Sequence, residues 1–66
     1  MMKSNVLLNN TASNMWVKFI DHNDGDRLLM GVIQELAKEN NKLYSSLLDK
    51  HIKDFYIDRD ALTIWV

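Results

Sequence analysis

The chain has 66 residues, of which 47% are hydrophobic, a formal net charge of −1 and no cysteine. This length predicts a single small domain over residues 1–66, and the lack of cysteine excludes disulfides and thiolate zinc sites. The near-neutral charge argues against nucleic-acid binding, which usually needs a basic excess, but does not exclude it. Domains this small are marginally stable, so association with a partner protein or a second copy is a plausible stabilising device.

The sequence carries no membrane or leader signal. No apolar run approaches the roughly 18 residues that a membrane helix needs. The apolar segment Val6-Leu7-Leu8 is too short for a secretory leader. We therefore expect a cytoplasmic protein with no membrane association.

Two short strands are predicted in the first third of the chain. Residues 5–8 (Asn-Val-Leu-Leu) form a candidate strand, followed by a polar, turn-forming run over residues 9–14. Residues 15–20 (Met-Trp-Val-Lys-Phe-Ile) are dense in β-branched and aromatic side chains, which favours a second strand. The two segments would pair as a hairpin.

The polar run over residues 21–26 (Asp-His-Asn-Asp-Gly-Asp) predicts a helix that begins near Asp24 to Asp26, because carboxylates there can cap backbone N–H groups. Apolar residues then recur at helical spacing, namely Leu29, Val32, Ile33 and Leu36. Gly31 falls inside this helix at a cost of roughly 1 kcal/mol relative to Ala. Either the helix tolerates this glycine, or another element approaches closely here.

A second helix is predicted from about Lys42 to Ile57, after a helix stop and a new N-cap at Asn40 and Asn41. Its apolar face comprises Tyr44, Leu47, Leu48, His51, Ile52, Phe55 and Tyr56. Residues 61–66 (Ala-Leu-Thr-Ile-Trp-Val) predict a last strand that pairs with residues 15–20. The predicted fold class is α+β, with a helical hairpin packed on a small antiparallel sheet in the order β-β-α-α-β.

Residue types that could carry chemistry do not form a site in this sequence. Asp21, Asn23 and Gly25 resemble the start of a calcium loop, but Gly25 comes one position early and Val32 stands where a bidentate Glu is required. A helix cap accounts for the same residues. His51 has no metal-ligating partner at helical spacing, and no serine lies in a Gly-x-Ser-x-Gly segment. We expect no enzyme activity, no metal and no cofactor.

The strand over residues 15–20 predicts an interaction surface. Alternation places Met15, Val17 and Phe19 on one side, and Trp16, Lys18 and Ile20 on the other. If the first set lies in the core, the second leaves a contiguous apolar patch on the outside of the sheet, a feature typical of docking surfaces. Trp65 of the last strand is a further candidate contact. The alternative is that residues 1–14 fold over this surface and bury it.

Residues 17–57 contain three predicted elements in succession. They are a strand over Val17 to Ile20, a first helix ending in Glu35-Leu36-Ala37-Lys38-Glu39-Asn40, and a tight turn at Asn41-Lys42. A second helix then carries core-spaced Tyr44, Leu48, Ile52 and Tyr56. This pattern resembles the ribbon-helix-helix family. The resemblance implies a dimer that inserts a two-stranded ribbon into the DNA major groove, with Lys18 as the base-reading side chain.

These observations favour a small non-enzymatic binding protein that docks onto another protein or onto a copy of itself through Trp16, Lys18, Ile20 and Trp65. Its size and composition are typical of inhibitors or adaptors encoded by phages and other mobile elements. The alternative function is a dimeric ribbon-helix-helix DNA-binding transcriptional regulator.

Overall fold

Within the residues that the structure describes, 2–39 and 41–66, a computed structural model shows three short helices and a four-stranded sheet. The elements are α1 (Ser4–Asn9), β1 (Trp16–Ile20), β2 (Arg27–Val32), α2 (Ile33–Lys38), α3 (Lys42–Leu48), β3 (Asp54–Asp58) and β4 (Ala61–Trp65). The predicted α+β class is confirmed, but the predicted order β-β-α-α-β is not. The predicted helix stop at Asn40 lies outside the described residues.

The strands lie in the order β2-β1-β4-β3. Two antiparallel hairpins, β1 with β2 and β3 with β4, are joined through a parallel pairing of β1 with β4 at the centre. The predicted pairing of the last strand with residues 15–20 is therefore confirmed. The predicted all-antiparallel sheet is wrong, because the chain passes through β2, two helices and β3 and returns as β4 beside β1 in the same direction.

The core lies between one face of this sheet and the helices. Val17 and Phe19 of β1 and Leu62 and Ile64 of β4 are completely buried, and they alternate with more exposed neighbours along both central strands. The helices contribute buried side chains to the same cluster, namely Leu8, Ile33, Leu36, Tyr44 and Leu47. The rings of Phe19 and Tyr44 meet edge to face with centroids 6.3 Å apart, which holds α3 against β1.

Residues 5–8 belong to helix α1 and not to the predicted strand. Four residues are too few for apolar periodicity to distinguish a helix from a strand. In the helix, Ser4 and Leu8 lie one turn apart and are both buried. The Ser4 backbone N–H and Oγ both donate to the Lys50 carbonyl, at 2.9 and 3.1 Å, and so tie α1 to the segment after α3.

The run over residues 21–26 is a hairpin loop and not the predicted helix cap. Asp21 Oδ1 accepts the Asn23 N–H, and Asp24 Oδ1 accepts the Asp26 N–H, each at 2.9 Å. Gly25 has a φ of 77°, which a residue with a side chain rarely adopts. Asp, Asn and Gly suit tight turns as well as helix ends, so the same residues supported the wrong element.

The predicted first helix is divided into strand β2 and the short helix α2. Residues 28–30 and 32 form an apolar run around Gly31, and such a run also suits a strand when a pairing edge is available. A Cβ at Gly31 would lie 2.9 Å from Leu36 Cδ2, so the close-approach alternative is correct, although the glycine lies in a strand. The absence of a side chain lets α2 fold back onto β2.

The predicted second helix begins as expected but ends early. Asn41 is the N-cap of α3, and its Oδ1 accepts the N–H groups of Leu43 and Tyr44 at 2.8 and 3.2 Å. The helix ends at Leu48 and not at Ile57, because residues 54–58 form edge strand β3 along β4. Phe55, Tyr56 and Ile57 are aromatic and β-branched, so pairing with β4 prevails over their helical spacing. His51 is exposed and forms an isolated antiparallel β-bridge with Lys3. It does not lie on the core face of a helix, where the spacing predicts it.

Candidate protein-docking surface

The sheet surface opposite the helices, here called the outer face, includes Trp16, Lys18 and Ile20 of β1. Their buried strand neighbours Val17 and Phe19 point to the core, so the predicted division of this strand is confirmed. Residues 2–14 do not cover the outer face, because α1 packs against α3 on the helix side and Leu8 joins the core.

A concavity of about 310 Å³ lies on the outer face. Its lining includes Trp16, Lys18, Met30, Tyr56, Ala61 and Thr63. The three largest of these side chains are about half exposed: Trp16 at 49%, Met30 at 46% and Tyr56 at 59%. The small Ala61 and Thr63 form the floor between them, since both lie on the central strand β4. The concavity therefore has large apolar walls and a shallow base, which is a shape suited to a protruding side chain.

The four predicted contact residues divide into two groups on the outer face. Trp16 and Lys18 line the concavity. Ile20 and Trp65 are cross-strand partners in the β1–β4 pairing and are partly buried, but they lie beyond the lining at one end of the face. All four belong to one continuous surface, because residues 16, 18 and 20 follow one another along β1.

Sequence reasoning missed Met30 and Tyr56 as members of this surface. The sequence pattern predicts helices at both positions, and a helix does not specify which way their side chains point relative to Trp16. Met30 is the cross-strand partner of Lys18, and Tyr56 is that of Thr63. The alternation of Tyr56 with Phe55 and Ile57 could have revealed a strand, but the helical spacing of the same segment concealed it.

The charges on the outer face are separated by sign. Lys18 is central, and Arg27 lies on edge strand β2 as the partner of Ile20. Asp54 and Asp58 lie on the opposite edge strand β3, as the partners of Trp65 and Ala61. Arg27, Asp54 and Asp58 are exposed. A partner would therefore meet a basic side and an acidic side, with apolar side chains between them.

A second concavity, of about 370 Å³, lies at one end of the sheet and has a mixed polar and apolar lining. Its lining includes Asp21, His22, Lys50, His51 and Lys53. His22 is anchored there by a contact of 2.7 Å between its Nδ1 and the Val66 carbonyl oxygen. Among residues 2–39 and 41–66, no three His, Cys, Asp or Glu side chains are grouped so that they could hold a metal ion.

Comparison of the chain with protein-family models, curated proteins and solved structures gives no match. In the described part of the chain, no helix has the length and apolar character needed to cross a membrane.

Proposed function

We propose that this chain is a small non-enzymatic binding protein, an inhibitor or adaptor, that docks onto another protein or a copy of itself through the outer face. One observation carries the proposal: Trp16, Met30 and Tyr56 stand about half exposed around a concavity on a sheet face that no described element covers. Aromatic side chains at such positions are typical of the residues that contribute most binding energy in protein interfaces.

A chain of 66 residues can bury only a small apolar surface on folding. Each of these side chains leaves about half of its surface in water, although burial would contribute about 25 cal/mol per Å². A partner surface that excluded water from the concavity would recover this contribution. The outer face belongs to a sheet that is already formed, so binding needs little backbone rearrangement and the ordering cost is small.

Photo-crosslinking from the outer face tests the proposal. Replacing Tyr56 with a benzophenone amino acid places the reactive group at the concavity, and we expect a crosslinked protein adduct in cells. The matched control carries the same group at Leu43, which is also exposed but lies on α3, on the other side of the molecule. Adding Trp16→Ala should abolish the Tyr56 adduct while the circular dichroism spectrum stays unchanged. Equal adducts from both positions would contradict docking through the outer face.

The alternative function, DNA binding through Lys18, stays a prediction. Lys18 lies at the centre of the outer face, where a docked duplex would meet it. Duplex affinity that falls steeply with salt and is lost in Lys18→Ala would favour this alternative over protein docking. A crosslink from position 56 to nucleic acid would support the same conclusion.

A further inference from the structure

We infer that a second copy of this chain occupies the outer face, stacked sheet to sheet about a twofold axis parallel to the strands. This inference rests on the proposed function and names the partner for the same surface. In a twofold interface, residue i of one copy meets residue j of the other, and j meets i, so the surface must match its own rotated image. The outer face can be tested for this property strand by strand.

The pairing register arranges the outer face in three rows that run across the four strands in the order β2-β1-β4-β3. The rows are Val32-Trp16-Ala61-Asp58, Met30-Lys18-Thr63-Tyr56 and Arg27-Ile20-Trp65-Asp54. A twofold axis parallel to the strands places each row over the same row of the second copy in reverse order. Thus β2 meets β3 of the other copy, and β1 meets β4.

The apolar contacts that result are complementary in size. Trp16 of each copy lies over Ala61 of the other, so the largest side chain meets the smallest residue of its row. Ile20 lies over Trp65, which is an apolar pair. Met30 lies over Tyr56, and a thioether beside an aromatic ring is a favourable contact. These pairs occur twice in the dimer.

One charged pair at the edges is complementary in sign, whereas Asp58 lies over Val32 and Lys18 over Thr63. Arg27 at the β2 edge lies over Asp54 at the β3 edge of the other copy, and the same pair recurs at the symmetry-related position. The Asp54 carboxylate is held at this edge, because its Oδ1 accepts the Phe55 N–H at 2.8 Å. Stacked sheets cross at about 30°, which displaces groups at the rim by a few ångströms, and the long Arg27 side chain can span that distance.

Two other symmetric arrangements bring like charges together. A twofold axis across the strands in the interface would place Lys18 against its own copy and Asp54 against Asp58. Antiparallel pairing of two β3 edges centred on Tyr56 would also set Asp54 opposite Asp58, and like charges directly opposite destabilise a strand pair. The edge charges Arg27 and Asp54 therefore favour the axis parallel to the strands, which places Lys18 over Thr63 and keeps the two Lys18 side chains one strand spacing apart.

The interface is small, so the dimer should be weak and depend on concentration. Four strands spaced about 4.8 Å apart, with five residues at about 3.3 Å each, give roughly 320 Å² of sheet per copy. Stable interfaces commonly bury about 800 Å² of accessible surface on each partner. Accessible area exceeds the flat area of a sheet, yet this interface stays below that common size.

Light scattering coupled to size exclusion, over a range of protein concentrations, tests the inference through charge reversal. We expect the mass to rise from one chain to two as concentration increases. Arg27→Asp and Asp54→Arg should each weaken the dimer about tenfold, because each substitution alters both symmetry-related contacts. The double variant Arg27→Asp with Asp54→Arg should restore dimerisation. Lys38→Asp, on the exposed surface of α2, makes the same change of charge as Arg27→Asp and should have no effect.

The rescue would identify a contact between copies. Within one chain, Arg27 and Asp54 lie on opposite edge strands, three strand spacings or about 14 Å apart, which exceeds the screening length at physiological salt. A chain that stays monomeric at all concentrations would overturn the inference, as would a dimer that ignores charge reversal or is not rescued. If a monomeric protein still gives the Tyr56 crosslink to a different protein, the proposed function stands and only the self-docking inference fails.

Discussion

Truncating Trp16 should cost clearly less stability than truncating the smaller Phe19 of the same strand. About half of Trp16 is exposed, so folding buries only about 125 Å² of a side chain of roughly 250 Å². At about 25 cal/mol per Å², burial of this area contributes at most about 3 kcal/mol to stability. Because the Ala side chain still buries part of it, the expected loss for Trp16→Ala is about 2 kcal/mol. Phe19 is completely buried, and Phe→Ala in a core costs about 3–5 kcal/mol.

Urea unfolding monitored by circular dichroism, at a concentration where the chain is monomeric, measures both losses. A chain of 66 residues has a total stability of roughly 3–10 kcal/mol, so Phe19→Ala should lose a third or more of it and unfold at much lower urea than Trp16→Ala. Equal losses would refute the reasoning, because Trp16 would then belong to the core and could not be the main contact of a docking surface.

Three further predictions concern the elements that hold the sheet and helices in place. Asn41→Ala removes the acceptor for two N–H groups of α3 and should cost about 1 kcal/mol in urea unfolding, whereas Asn41→Asp keeps the acceptor and most of the stability. Burial raises the pKa of Tyr44 above 10.0, so stability is fully present below pH 10, where both states are protonated, and falls above it as the unfolded state ionises first. Tyr44→Phe should remove this alkaline loss, and Tyr56→Phe should not. Arg59 adopts a φ of 48° in the β3–β4 turn, so Arg59→Gly should stabilise the fold by up to about 1 kcal/mol and raise the melting temperature. Gly25→Ala should lower the melting temperature.

The two central strands could be predicted from sequence because their composition and alternation agree. In residues 16–20 and 61–65, β-branched and aromatic types coincide with strict alternation of buried and exposed positions. This agreement was sufficient to assign Trp16 and Lys18 to the outside and to pair the last strand with the first. The proposed docking surface was placed on this strand for the same reason.

The edge strands could not be predicted, because local periodicity supports two structures there. Leu29, Val32 and Leu36 have helical spacing, yet β2 forms because the free edge of β1 supplies partners for its backbone groups. The segment around Tyr56 has helical spacing with Ile52 and becomes β3 because β4 pairs with it. Each of these pairings depends on the neighbouring strand of a hairpin and not on the periodicity of the segment itself, so Met30 and Tyr56 were missed as members of the outer face.

The parallel pairing of β1 with β4 has a consequence for the synthesis of this protein. Strand β1 is made before β4, so β1 has an open edge while β2, the intervening helices and β3 are translated. Contacts so distant in sequence delay folding, and an unpaired apolar strand is prone to aggregate meanwhile. Lys18 is the only charged residue of β1. Its ammonium group would oppose the pairing of nascent chains along the open edge of β1, as charges within apolar strands generally do, so we expect Lys18→Leu to lower the soluble yield more than the stability of the folded protein.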